Sequence, residues 1–260
     1  MKITFLGTGA ALCIRVPESE MTNDKRRCAA TLIDENIMID MSFQSVDFAK
    51  KLGKDMSKIT DVFLTHSHAD HFQKHVLMSL AEETEAKLNF WCHKNAVENL
   101  GLDESELEKI NLHTVDVLDK WETGGVAVTA LSANHLTQGN EQPLHYIFEK
   151  DGKKLFFGCD GGWFTALTWE YLRKQKLDAV VLDATVGDDA GNFRIGTHNS
   201  IPMLKIINAA LTQNNIMDEN APRIANHIAD SVYKMSKGEV KAALAEIGMI
   251  ATDDGLEIEI

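Results

Sequence analysis

"DVFLTHSHADH", residues 61–71, is the stretch on which the reading of this chain turns. Val62, Phe63 and Leu64 run as a short apolar strand, and at Thr65 the chain becomes polar. In an extended segment side chains two apart share a face, so His66 and His68 can converge on one point. As the chain bends into the helical pattern that follows, Asp70 and His71 can swing toward a second point close by. Imidazoles and carboxylates together suit zinc, manganese or iron, and two such clusters side by side make a dinuclear site. A solvated, histidine-rich turn is the bland alternative, but a strand feeding His-x-His-x-Asp-His is far more specific than a lone histidine pair. His75 reads as a solvated histidine on the helix after it.

A cradle this small cannot complete two coordination spheres, so it predicts ligands downstream. Three residues stand at or just past the ends of apolar runs: His135 after "VAVTALSAN", Asp160 after "KKLFFGC" and His227 after "RIAN". In layered sheets, sites collect at strand ends. Taken alone, Asp160 reads equally as a turn aspartate before Gly161 and Gly162. His198 follows the polar loop "VGDDAGNFRIG" (186–196), and by itself reads as the start of a helix capped by Asn199 or Ser200. Asp40, ending "NIMID", reads by itself as a strand-end turn residue. His93, His113 and His145 have no motif context, and Cys159 reads as packing.

Around these motifs, strand-like runs recur: "KITFL", "ATLID", "NIMID", "DVFLTH", "KLNFWCH", "VAVTAL", "LHYIFEK", "KKLFFGCD", "DAVVLDAT", "RIANHI" and "LEIEI". Short polar turns such as "EKDGKK" join some of them as hairpins. Helical patterns fall between, clearest in "SVDFAKKLG", "HVLMSLAEET", "ESELEKI", "WEYLRKQ", "SIPMLKIINAALTQN" and "KGEVKAALAEIG". Hairpins interleaved with helices predict a layered α/β domain with mixed sheets spanning residues 1–260. Met78 and Leu80 could face a subunit interface, though packing on the sheet explains them better, and a homodimer stays open.

The chain has 260 residues, 44% of them apolar, enough for one large core. Its 26 basic and 39 acidic residues give a net charge of −13, a field that opposes a nucleic-acid backbone. "MKITFLGTG" reads as a first strand rather than a signal peptide, and no apolar run approaches membrane-spanning length. Cys13, Cys28, Cys92 and Cys159 are widely spread, which predicts no disulfide framework and a reducing, cytoplasmic home.

"THSHADH", followed in order by "ANH", "GCDGG" and "NHI", resembles the metallo-β-lactamase superfamily along essentially the whole chain. The resemblance implies a four-layer αββα sandwich with a dinuclear metal site. Residue by residue it implies that His66, His68 and His135 hold one divalent ion, that Asp70, His71 and His227 hold the other, and that Asp160 bridges them. It gives Asp40 a supporting place beside the metals. A bridging aspartate departs from the common β-lactamase arrangement, where a cysteine stands instead, and argues against lactam hydrolysis.

"FLGTGAA", "VVLDAT", "GTHNS" and "RIANHIADS" resemble the branch of that superfamily containing ribonuclease Z and a phosphoribosyl cyclic phosphate phosphodiesterase. There a histidine matching His198 lies near the substrate phosphate. Two departures stand out. No arm for gripping tRNA interrupts the strands, and the cysteine-rich loop and late histidine that hold a structural zinc are replaced by "CIRVPESEMTNDKRRC" and Asp230. The expectation is therefore a metal-dependent hydrolase of a small or cyclic phosphodiester, using hydroxide shared by two metals, with Asp70 and His198 as catalytic residues. Hydrolysis of a non-phosphorus ester, thioester or lactone at the same site is the alternative.

Overall fold

The computed structural model describes residues 1–11, 13, 17, 20–22, 25–42, 44–230, 232 and 235–260. Fourteen strands form two seven-stranded sheets. The first holds β1 (Lys2–Gly7), β2 (Ala30–Ile33), β3 (Ile37–Ile39), β4 (Asp61–Phe63), β5 (Leu88–His93), β6 (Ile110–Val115) and β14 (Glu257–Glu259), in the order β14-β1-β2-β3-β4-β5-β6. The second holds β7 (Lys120–Thr123), β8 (Val126–Ser132), β9 (Leu144–Lys150), β10 (Lys153–Gly158), β11 (Ala179–Asp183), β12 (Arg223–Asn226) and β13 (Ile250–Ala251), in the order β13-β12-β11-β10-β9-β8-β7. Both are mixed: β3 to β6 and β10 to β13 run parallel, while the hairpin-joined strands run antiparallel. The "EKDGKK" turn closes β9 onto β10 through Asp151 at φ 52° and Gly152 at φ 73°, the left-handed pair that suits a two-residue hairpin.

Period-two alternation builds three apolar layers. Phe63, Leu155, Phe157 and Val181 point into the seam between the sheets, with Ile3, Phe5, Tyr146 and Phe148. Their neighbours Val62 and Leu64 face outward onto α1 (Ser45–Lys51) and α2 (Lys74–Glu83), while Phe156, Val180 and Leu182 face α6 (Ile201–Gln213) and α7 (Lys237–Glu246). The result is helix, sheet, sheet, helix, the expected αββα sandwich. Leu80 is buried and Met78 packs against the same cluster, so α2 turns both onto the sheet.

Three strands escape the sequence reading. β6, β7 and β13 lie at or next to the sheet edges, where half-exposed, polar-rich segments such as "INLHTV" and "KWET" lack a continuous apolar signal. The "ESELEKI" helix is shorter than its pattern: α4 (Glu104–Leu107) ends before Ile110, which begins β6. Short helices α3 (Val97–Leu100) and α5 (Ala166–Leu172) complete the set.

The cysteine expectation is corrected. Cys13 and Cys28 form a disulfide across 15 residues. The turn after β1 brings them together, because Gly9 bridges Cys28 and its amide donates to Arg27 O at 2.7 Å, while the Cys13 amide donates back to Ala10 O. Cys92 and Cys159 remain buried thiols, so packing holds for Cys159. The disulfide withdraws the argument for a reducing compartment. Among the described residues no helix is long and apolar enough to cross a membrane.

Candidate metal centre

The carboxyl ends of β3, β4, β8, β10, β11 and β12 meet at one edge of the sandwich, and the residues just beyond them supply the centre. Two hydrogen bonds tie the sheets together there: Leu144 N donates to Thr65 O at 2.9 Å and Ile228 N to Thr8 O at 2.8 Å.

His66, His68, His135 and Asp160 present ligand atoms all within 4.8 Å of one another, and so do Asp70, His71 and His227. Asp160 Oδ2 lies 3.7 Å from His66 Nε2, 3.5 Å from His135 Nε2 and 3.6 Å from His71 Nε2, so one carboxylate oxygen faces both clusters. The structure thus brings together all seven residues named from the sequence as metal ligands. His75 is exposed on α2 and stays outside.

Neighbouring groups set the imidazole tautomers. His71 Nδ1 lies 2.7 Å from Asp40 Oδ2, whose partner oxygen accepts from Thr65 N at 2.8 Å. Asp40 accepts a hydrogen bond from Nδ1–H and turns Nε2 toward the centre. Thr185 Oγ1 donates to Asp183 Oδ2 at 2.7 Å and sits 2.8 Å from His227 Nδ1, which turns that ring's Nε2 toward the centre as well. The two Nε2 atoms face each other at 3.0 Å. Two ring nitrogens at that distance need a proton or a metal cation between them.

The field agrees. Burial works to raise the Asp70 carboxyl, but His71 and His227 outweigh it and hold it well below the carboxylate range. Burial opposes charge on His198 and His227 too, yet Asp160 and Asp183 outweigh it and push them up to about 11 and about 9. His66 goes the other way, lowered by burial and by its imidazole neighbours, and is held neutral. Asp160 Oδ1 is buried, and His198 Nδ1 lies 2.7 Å from it. A site that draws positive charge, keeps neutral imidazoles at hand and turns one carboxylate oxygen toward both clusters fits divalent metal ions.

His198 belongs to this site rather than to a helix cap. Its Nδ1 is 2.7 Å from Asp160 Oδ1 and 3.0 Å from Asp183 Oδ2, and the cap of α6 is Ser200. Asp183 was missed from the sequence, although it ends "AVVLD" beside the strand that delivers Asp160; the strand-end rule applied to β11 would have found it. Glu141 was missed as well. Its carboxylate accepts from Ser67 N at 2.8 Å, from Ser67 Oγ and from Asn99 Nδ2 at 2.8 Å, clamping the turn between His66 and His68. No local pattern marks it.

His145, left without a role above, lies beneath the Asp160 turn with Nε2 3.3 Å from Asp160 O, and burial pushes its ring down to about 4. A Cβ on Gly162 would stand 2.8 Å from Gly196 O, so this glycine lets the Asp160 and His198 loops touch. Ala11 N donates to Asp70 Oδ2 at 2.7 Å. Where the resemblance places a structural zinc, Arg26 is buried instead: it contacts Asp230 at 3.2 Å, Thr8 Oγ1 at 2.9 Å and Thr252 O at 2.5 Å.

A fold of two helix-flanked mixed sheets with paired His/Asp clusters at one edge defines a metallo-hydrolase of the β-lactamase type. A family model described as "Beta-lactamase superfamily domain" matches residues 35–214, and the chain belongs to that superfamily of metal-dependent hydrolases. No curated protein matches the chain. Among solved structures, it is similar to a diphosphatase from the PhnP family at TM-score 0.75 and 20% identity, covering 100% of this chain and 96% of that one. Zn(2+)-bound PqqB from Methylobacterium extorquens aligns at TM-score 0.76 and 16% identity, over 100% of both chains. Human tRNase Z, short form, aligns at TM-score 0.69 and 16% identity, over 100% of this chain and 99% of that one. At these identities the likeness is one of fold.

Proposed function

We propose that this chain hydrolyses a small or cyclic phosphodiester at a centre of two divalent metal ions. His66, His68 and His135 would hold one ion, Asp70, His71 and His227 the other, and Asp160 both. Zinc, manganese and iron all accept this donor set. When bound, the ions supply a water acidic enough to ionise near neutral pH and positive charge to offset that gathering at phosphorus.

The observation that carries the reading is His198, an imidazole held between Asp160 and Asp183 beside the cradle. Two carboxylates hold the ring in place, which suits it to donate to a phosphoryl oxygen or to the departing alkoxide. An acyl ester has one developing oxyanion, whereas a phosphodiester carries a charge before attack begins, so an added hydrogen-bond donor favours the latter. Asp70, anchored by Ala11 N at 2.7 Å, would accept a hydrogen bond from the attacking water and orient it. The charge of −13 supports a small substrate over extended nucleic acid.

The test pairs metal analysis with hydrolysis of bis-p-nitrophenyl phosphate by the wild type, Asp160→Ala and His198→Ala. The expected result is two ions per chain in the wild type and cleavage that vanishes with Asp160. In His198→Ala turnover should fall by about 10²–10⁴, the range for a positioned acid, with metal content intact. Two bound ions without phosphodiester cleavage would overturn the substrate class and direct the search to esters, thioesters and lactones.

A further inference from the structure

Large apolar side chains that stay exposed are not scattered evenly over this molecule. Among the described residues nine are exposed, and four of them, Leu136, Trp163, Phe193 and Ile195, sit within five residues of His135, Asp160 or His198. Phe193 is 84% exposed and Leu136 74%, far beyond what packing alone leaves open.

The segments that carry them are locked together. His135 Nδ1 lies 3.2 Å from Thr197 O, Gly162 N donates to Asn134 O at 3.1 Å, and Asn199 Nδ2 donates to Gly161 O at 3.0 Å. Gly162 is packed so closely on Ile195 and Gly196 that a side chain would collide with their carbonyl oxygens. The segments that carry the four residues therefore lie against one another beside the proposed ligands. Arg194 adds a cation: its guanidinium lies 4.4 Å from the centroid of the Phe193 ring, and among the described residues it makes no ion pair with a carboxylate. In a chain of −13 net charge, a cation laid on an exposed ring beside the catalytic imidazole is a pointed arrangement.

We propose that Phe193 and Arg194, with Trp163, Leu136 and Ile195, form a subsite for a planar aromatic group carried by the substrate, an aryl or nucleobase-like ring. This rests on reading the centre as an organophosphate hydrolase. One face of Phe193 is covered by the guanidinium, and the exposed remainder offers a stacking surface. Ring-on-ring stacking accepts any flat π-system, so the subsite selects for a ring without selecting its hydrogen-bonding edge. Arg194 stiffens the platform and favours rings attached to anionic groups. His198 then sits between the phosphoryl oxygens and the organic group, where a proton donor serves ester cleavage.

The test is calorimetric binding of phenylphosphonate and methylphosphonate, two inert anions differing by one ring, to metal-loaded wild type and Phe193→Ala. The wild type should bind the phenyl compound at least about tenfold more tightly, the scale of one stacked ring, and Phe193→Ala should bring that ratio near one. Ile206→Ala, which removes an exposed apolar residue of α6 outside the patch, should leave the ratio as in the wild type. A ratio near one in the wild type, or one unmoved by Phe193→Ala, overturns the subsite. So does a wild-type dimer, seen by sedimentation, that Phe193→Ala dissociates without changing the ratio, because the patch would then be a subunit interface. Bis-p-nitrophenyl phosphate hydrolysis is scored separately: ring-selective binding without cleavage sinks the phosphodiesterase reading and keeps the subsite, and cleavage without ring selectivity does the reverse.

Discussion

Asp40 shows how a residue outside the ligand set can decide what a ligand does. It sits at φ 56°, a left-handed conformation that costs a non-glycine residue energy, and the turn it makes places its carboxylate under both Thr65 and His71. The contact at 2.7 Å puts the His71 proton on Nδ1 and aims Nε2 at His227. Asp40→Asn removes the charge that holds this tautomer while keeping the side chain's size. Binding of the ion assigned to Asp70, His71 and His227 should weaken by about 10- to 100-fold, the usual effect of losing such a partner. Competition with a graded chelator reads it, and the first ion lost should be the only one affected. Equal weakening of both ions would show that Asp40 acts on the whole 65–71 turn instead of on one ring.

At the scale of elements, the cysteines divide sharply. Cys92 on β5 and Cys159 after β10 are enclosed, and burial pushes the Cys92 thiol up to about 12 and Cys159 well above its ordinary range. Thiolate is the reactive form, so neither should react in the folded protein. Iodoacetamide is therefore expected to label no cysteine natively, two after denaturation without reductant, and four after reduction. Four labels without reductant would mean that Cys13 and Cys28 are not joined. That pairing also shows where sequence reading stopped. The strand feeding His-x-His-x-Asp-His was legible because covalent spacing alone brings its side chains together, and His135, Asp160 and His227 were legible as strand ends. The Cys13–Cys28 contact depends on how the turn after β1 lies against Arg27, a long-range fact with no local periodicity. Glu141 reaches Ser67 across 74 residues for the same reason. β6 and β7 were illegible because two residues of β6 and none of β7 are fully buried, and so no alternation survives.

Over the whole molecule, the sandwich holds a cluster of like and unlike charges in a buried edge, and its stability should depend on what neutralises them. Three apolar layers supply the stabilisation, with Phe63 ringed by Trp91, Trp121, Tyr146 and Phe148 at the seam. Against that background the histidines set the pH response. His198 and His227 have folded values of about 11 and about 9 against an ordinary 6.5. A base whose folded pKa is raised contributes fully below 6.5 and loses that contribution as pH climbs toward the folded value, because the unfolded chain sheds its proton first. The lowered histidines, His66, His68, His93 and His145, contribute nothing further above 6.5. The Asp70 and Asp160 carboxylates, held low, are already at their full contribution. Metal-free protein should therefore lose thermal stability as pH rises from about 6.5 to about 8, a window that stops short of thiol ionisation. Metal-loaded protein should do the opposite, because metal binding needs the imidazoles deprotonated and tightens as protons leave. Melting temperatures of chelated and metal-loaded samples across that window should have slopes of opposite sign. A flat chelated curve would mean that the imidazoles stay neutral between the carboxylates, and parallel curves would mean that the ions bind elsewhere.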